Sequence, residues 1–141
     1  MKSVTLTLPE PPSENVYYRR AGSRTYLSRE GKAYKLAVLA AAGVNGSPLF
    51  PTGDVSVIVV WRRTLNSGDL DNRFKPLLDS LKSLSKRVPD PTAKGRVKSR
   101  RVVLKPGVYD DDGQVAMIWA RRCDEHPELA PGTVRVEVSA L

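Results

Sequence analysis

Residues 54–63, DVSVIVVWRR, constrain the fold more than any other stretch of this chain. Strand side chains alternate between the two faces of a sheet, so a run apolar at nearly every position carries hydrophobic groups on both faces. Such a strand belongs in the middle of a sheet with other elements covering both sides. Its apolar part, VSVIVVW, is far too short to span a bilayer. At 141 residues the chain suits one domain around a single modest core.

The remaining elements follow from periodicity and punctuation. SVTLTL (3–8) alternates as a strand and is ended by Pro9, Pro11 and Pro12. PPSENVYYRRAGSRTY is turn-rich and reads as a surface loop. Ser28 suits the N-cap of a helix over REGKAYKLAVLAAAG, which Gly43 would stop. Phe74, Leu77, Leu78, Leu81 and Leu84 recur at helical spacing and predict a second helix over about residues 72–85, with Asp71 as its cap. Pro76 removes a backbone donor one turn in and is expected to bend that helix or delay its regular start. GQVAMIWARR (113–122) and TVRVEVSA (133–140) complete the strands. The order β-α-β-α-β-β predicts a mixed β-sheet with two main helices, an α/β (α+β) fold in one domain spanning 1–141.

Charge separates one segment from the rest. The chain carries a net +8, and residues 82–108 alone hold nine basic side chains against Asp90. The whole excess therefore lies within 82–108, nearly all of it in an arm or hairpin at about 86–108 with a possible short strand at RVVL. Clustered Lys and Arg are what phosphate backbones require, so nucleic acid is the expected partner, with Lys94, Arg96, Lys98, Arg100 and Arg101 as its main contacts. Arg19, Arg20 and Arg24 add a second basic group. One cysteine (Cys123) and one histidine (His126) rule out an internal disulfide and argue against a Cys/His zinc site. Both look structural. Trp61 and Trp119 fall on strands and are expected in the core, and Tyr17 and Tyr18 suit packing or base stacking equally. Nothing at the start resembles a signal peptide, so a cytoplasmic protein is expected with no membrane contact.

The chemistry-bearing stretch is SGDLDNRFKPLLDSLK, residues 67–82. Asp69 and Asp71 straddle a strand end and a helix start, and a second acidic cluster, Asp110, Asp111 and Asp112, precedes the strand QVAMIWARR. Should that strand neighbour the one ending near Arg63, the two clusters would meet at one edge of the sheet. Carboxylate oxygens suit a hard ion such as Mg²⁺, which lowers the pKa of a bound water and neutralises charge on a phosphate. Lys75 lies one turn after Asp71 and can point back to the same pocket. Asn72 in the first turn suits a carboxylate or a phosphate, Arg73 beside it suits nucleic acid, and the open amides of the helix start suit an anion. Each part also has an ordinary reading: Asp71 as a cap, Asp71 with Lys75 as a surface ion pair, DDDG as a turn.

LTLPEPPSENVYYR, YLSREGKAYK, GDLDNRFKPLLDSL and DDDGQV, in that order before a closing strand, resemble the RusA-type Holliday-junction resolvases. The resemblance covers most of the chain. It implies a Mg²⁺-dependent homodimer, with Mn²⁺ as a possible substitute and no small-molecule cofactor, that cuts four-way DNA junctions by paired symmetric nicks. Carried over by position, the site would be Asp69, Asp71, Lys75 and Asp112, with Asp111 as a further metal ligand. The segment from Leu84 to Tyr109 is longer than in compact family members. Two other readings remain: a broader flap or fork nuclease of phage origin, and a non-catalytic nucleic-acid-binding protein.

Overall fold

A computed structural model describes residues 2–64, 69–90 and 98–141, with only the backbone at Lys98. In chain order the first elements are β1 (Ser3–Pro9), α1 (Glu14–Tyr17), β2 (Tyr18–Ala21), β3 (Arg24–Leu27), α2 (Arg29–Ala42) and β4 (Val55–Arg62). There follow α3 (Asp71–Leu81), β5 (Leu84–Asp90), β6 (Lys98–Lys105), a 3-10 turn (Asp112–Gln114), β7 (Val115–Arg122) and β8 (Thr133–Ala140). The central sheet has the order β1-β8-β4-β7. β8 runs antiparallel to both β1 and β4, whereas β4 and β7 are parallel, as the long crossover through α3 requires. The sheet is mixed, as the patterning predicted.

β4 is central, and Val55, Val57 and Trp61 of one face are buried along with Ser56 and Val60 of the other. Leu8, Val134, Val136 and Val138 from its neighbours, Tyr17, Val38 and Leu77 from the helices, and Tyr109 complete the core. His126 is buried, and its Nδ1 accepts from the Glu128 amide, so it is a structural side chain. Among the described residues, no helix is long and apolar enough to cross a membrane.

Four expectations are corrected. Residues 14–27 form not a loop but a helical turn and the hairpin β2–β3, with Tyr17 fully buried. A four-residue helix is too short to show periodicity; tertiary packing makes it. The Ser28 hydroxyl accepts from Gly31 N at 2.9 Å and donates to Val16 O, tying the start of α2 to α1. A Cβ at Gly31 would stand 2.3 Å from Tyr17 O, so only glycine allows this approach.

α3 begins with Asp71 itself, after Leu70 as N-cap, and takes in Pro76. It stops at Leu81, leaving Leu84 on β5. The backbone at 81–83 pairs with the segment 108–109 instead, through Val108 N to Leu81 O (2.8 Å) and Ser83 N to Tyr109 O (3.0 Å). Gly107 permits that crossing, since a Cβ there would lie 2.5 Å from three backbone atoms of Leu81, Lys82 and Ser83.

The basic arm is the antiparallel hairpin β5–β6. Trp119 is not core: β7 is an edge strand, and Met117, Ile118 and Trp119 are 48%, 45% and 52% exposed.

Candidate active site

Asp71, Lys75 and Asp79 recur every four residues and so share one face of α3. That face forms a groove of about 440 Å³ with Asp112, Gly113, Val115 and Ile118, and with Glu14 of α1. Asp71 and Asp79 are two turns apart, about 12 Å along the axis. The groove along α3, rather than a sheet edge, brings one acid of each cluster together. β4 and β7 are parallel, so the loop entering β7 lies at the opposite end of the sheet from the loop leaving β4. α3 runs back between those ends, and the groove along it carries both Asp71 and Asp112.

Asp79 is the organising group, with its side chain 9% exposed. Its Oδ2 accepts from Lys75 Nζ at 3.1 Å and from the Tyr18 hydroxyl, while Lys82 Nζ lies 3.8 Å from Oδ1. A buried carboxylate is tolerated only when so paired. Lys82 also stands 3.7 Å from Asp112, bridging the end of α3 to the loop before β7. Lys75 further lies 5.1 Å from the Tyr18 ring centre, a cation–π contact. Burial, with the bond to Asp79 second, pushes the Tyr18 hydroxyl well above the usual tyrosine range, so it stays a donor. Beneath them, buried Lys35 donates to the carbonyls of Asp79 and Lys82 (2.5 and 2.9 Å), caps the end of α3, and has its pKa lowered by burial to about 8.

The second acidic motif divides by task. Asp110 pairs with Arg101 at 2.9 Å. Asp111 sits in a capping box with Gln114, whose Oε1 accepts from the Asp110 and Asp111 amides and whose Nε2 donates to Phe50 O and Gly53 O. The ordinary turn reading holds for these two acids. Asp112 alone of the three lines the groove.

Other residues singled out by sequence are dispersed. Asp69 is exposed and does not line this groove. Asn72 is half-buried in the first turn. Arg73 donates to Pro11 O at 2.6 Å and lies over Trp61, anchoring α3. Arg19 donates to Asn15 O. Arg20, Arg24 and Arg100 are exposed. Arg101, Lys86, Arg87 and Lys82 line a second groove, of about 280 Å³, at the base of the hairpin. Lys94 and Arg96 lie outside the described residues, as does the side chain of Lys98. Asp79, Lys82, Lys35 and the role of Tyr18 escaped the sequence reading. The spacing 71/75/79 signals Asp79; nothing in the sequence signals Lys35.

Among the described residues, no three acidic, histidine or cysteine side chains converge on one point. The groove offers carboxylate oxygens only, which fits Mg²⁺ held by one or two carboxylates, with water and a substrate phosphate supplying the rest.

The family model described as Endodeoxyribonuclease RusA matches residues 9–87, ending before the Asp110–Gln114 motif. Crossover junction endodeoxyribonuclease rusA of Enterobacteria phage HK97 is 36% identical over 86 residues, covering 57% of this chain and 68% of that protein. Crossover junction endodeoxyribonuclease RusA of Shigella sonnei (strain Ss046) and that of Escherichia coli (strain K12) are each 51% identical over 35 residues, 25% of this chain and 29% of theirs.

Proposed function

Since the chain belongs to the RusA endodeoxyribonuclease family, we propose that it nicks four-way DNA junctions by Mg²⁺-dependent hydrolysis of backbone phosphodiesters. The observation that carries this reading is one groove holding Asp71, Lys75 and Asp112 in a fold that also carries two basic hairpins, β2–β3 and β5–β6. Asp71 and Asp112 are the carboxylates to hold Mg²⁺, with exposed Asp69 and Asp111 nearest to them in sequence. Bound there, Mg²⁺ would supply a Lewis acid to lower the pKa of a coordinated water and neutralise phosphate charge. Lys75, steadied by Asp79 and Tyr18, places a fixed positive charge where negative charge develops in the transition state. The hairpins supply phosphate contacts that hold the strand across the groove.

The protein acts as a homodimer, because a two-fold symmetric junction calls for two active sites related by the same symmetry. β7 offers the surface. Within the described sheet it pairs on one side only, and Met117 and Trp119, which do not line the groove, are exposed on it.

The test is cleavage of a synthetic four-way junction in Mg²⁺ or Mn²⁺, wild type beside Asp71→Asn, with binding measured in parallel. Paired symmetric nicks that vanish in the variant while binding persists support the reading. Binding without cleavage by the wild type in both metals would replace it with a nucleic-acid-binding role. Flaps and forks cut faster than junctions would move the substrate to branched DNA in general.

A further inference from the structure

Lys75 belongs to two grooves. The second, of about 540 Å³, adjoins the first at Lys75 and Glu14 and is lined by Glu14 and Asn15 of α1, Tyr18 and Arg20 of β2, and Thr25 of β3. That volume falls within the range of small-molecule sites. The hairpin register aligns its walls: Tyr18 pairs with Leu27 and Arg20 with Thr25, so Tyr18, Arg20 and Thr25 share one strand face.

We propose that this groove is a subsite for the nucleotide next to the scissile phosphate, with Arg20 on the flanking phosphate and Asn15 reading the base edge. The inference rests on the nuclease reading and deepens it. A phosphodiester neutralised at Lys75 must send its strand out on both sides of that lysine, and only one side is occupied by the catalytic carboxylates. On the other side, exposed Arg20 supplies a cation for the next phosphate. The Glu14 carboxylate repels phosphate from the α1 end, which leaves that end for the base. There Asn15, exposed, presents an amide that can both donate and accept, the side-chain chemistry that distinguishes base edges. The Tyr18 ring forms part of the wall, and its position is fixed by the bond to Asp79. Asn15 is thus the specificity-determining residue and Arg20 a sequence-neutral one.

The experiment maps cut positions on a set of four-way junctions that differ only in the base flanking each candidate phosphate. Asn15→Ala is expected to reduce the ratio between best and worst sequences by roughly ten-fold while the protein still cuts. Arg20→Gln is expected to weaken binding equally for all sequences and to lower the salt slope by about one. An unchanged ratio in Asn15→Ala, or a sequence-dependent loss in Arg20→Gln, overturns the assignment. A wild type that binds but never nicks refutes the nuclease reading instead. Competition binding among the same junctions, wild type against Asn15→Ala, then decides the subsite without catalysis.

Discussion

Lys75 Nζ lies 3.1 Å from Asp79 Oδ2, one helical turn further along α3, on a carboxylate that also accepts from Tyr18. The proposed catalytic cation is therefore held by a buried acid. Asp79→Asn is expected to slow junction cleavage by roughly 10- to 100-fold with binding changed little, the usual cost of removing such a supporting group. The decisive comparison is a double-mutant cycle. On a Lys75→Ala background, Asp79→Asn should cost nothing more, whereas multiplicative losses would mean that Asp79 acts independently.

Gly31 sits where a Cβ would overlap Tyr17 O at 2.3 Å. Both sides of that contact are backbone, so the overlap cannot be relieved by a rotamer change. Gly31→Ala is expected to destabilise the protein by about 2 kcal/mol in urea unfolding, despite alanine's better helix propensity. A variant as stable as wild type would show that α1 is free to shift away.

Lys35 gives a pH dependence with a definite sign. Its folded pKa of about 8 lies below the ordinary 10.5, because burial disfavours the ammonium. Between those values the unfolded chain binds the extra proton, so this residue's contribution to stability rises from pH 8 towards 10.5 and is constant below that window. Tyr17 works the other way. Burial pushes it up to about 12 from 10, so its contribution falls as pH climbs from 10 to 12. Melting curves of wild type and Lys35→Met should therefore show the wild type gaining on the variant between pH 8 and 10. A constant gap would mean that Lys35 titrates normally.

The β5–β6 hairpin should act through salt-dependent affinity. Replacing Lys86, Arg87 and Arg100 by glutamine is expected to weaken junction binding at low salt and to flatten the log–log salt slope by about one for each phosphate no longer neutralised. Unchanged affinity at low ionic strength would remove the hairpin from the DNA path.

β7 tests the assembly. Trp119→Asp should leave the fold intact, since this side chain is 52% exposed, and should convert a dimer to monomers in analytical ultracentrifugation. A dimer that survives the change uses another surface.

Local chemistry made much of this protein legible in its sequence. The two-faced apolar run of β4 dictated a central strand, Ser28 and Gly43 bracketed α2, and the clustered lysines and arginines marked the segment that folds as the β5–β6 hairpin. Asp71 and Lys75 were legible because helical spacing alone puts them on one face. Tertiary structure decided what depends on contacts between distant segments. α3 ends at Leu81 because the 108–109 backbone takes up its next hydrogen bonds, and Trp119 is exposed because β7 fell at the sheet edge. Of three consecutive aspartates, Asp112 faces the groove because Arg101 and Gln114 engage the other two. Asp79 becomes the centre of the site only when Tyr18, sixty-one residues earlier, packs against it. Periodicity reports the environment of a face, but a buried ion network is set by which faces meet, and that requires the whole chain to be folded.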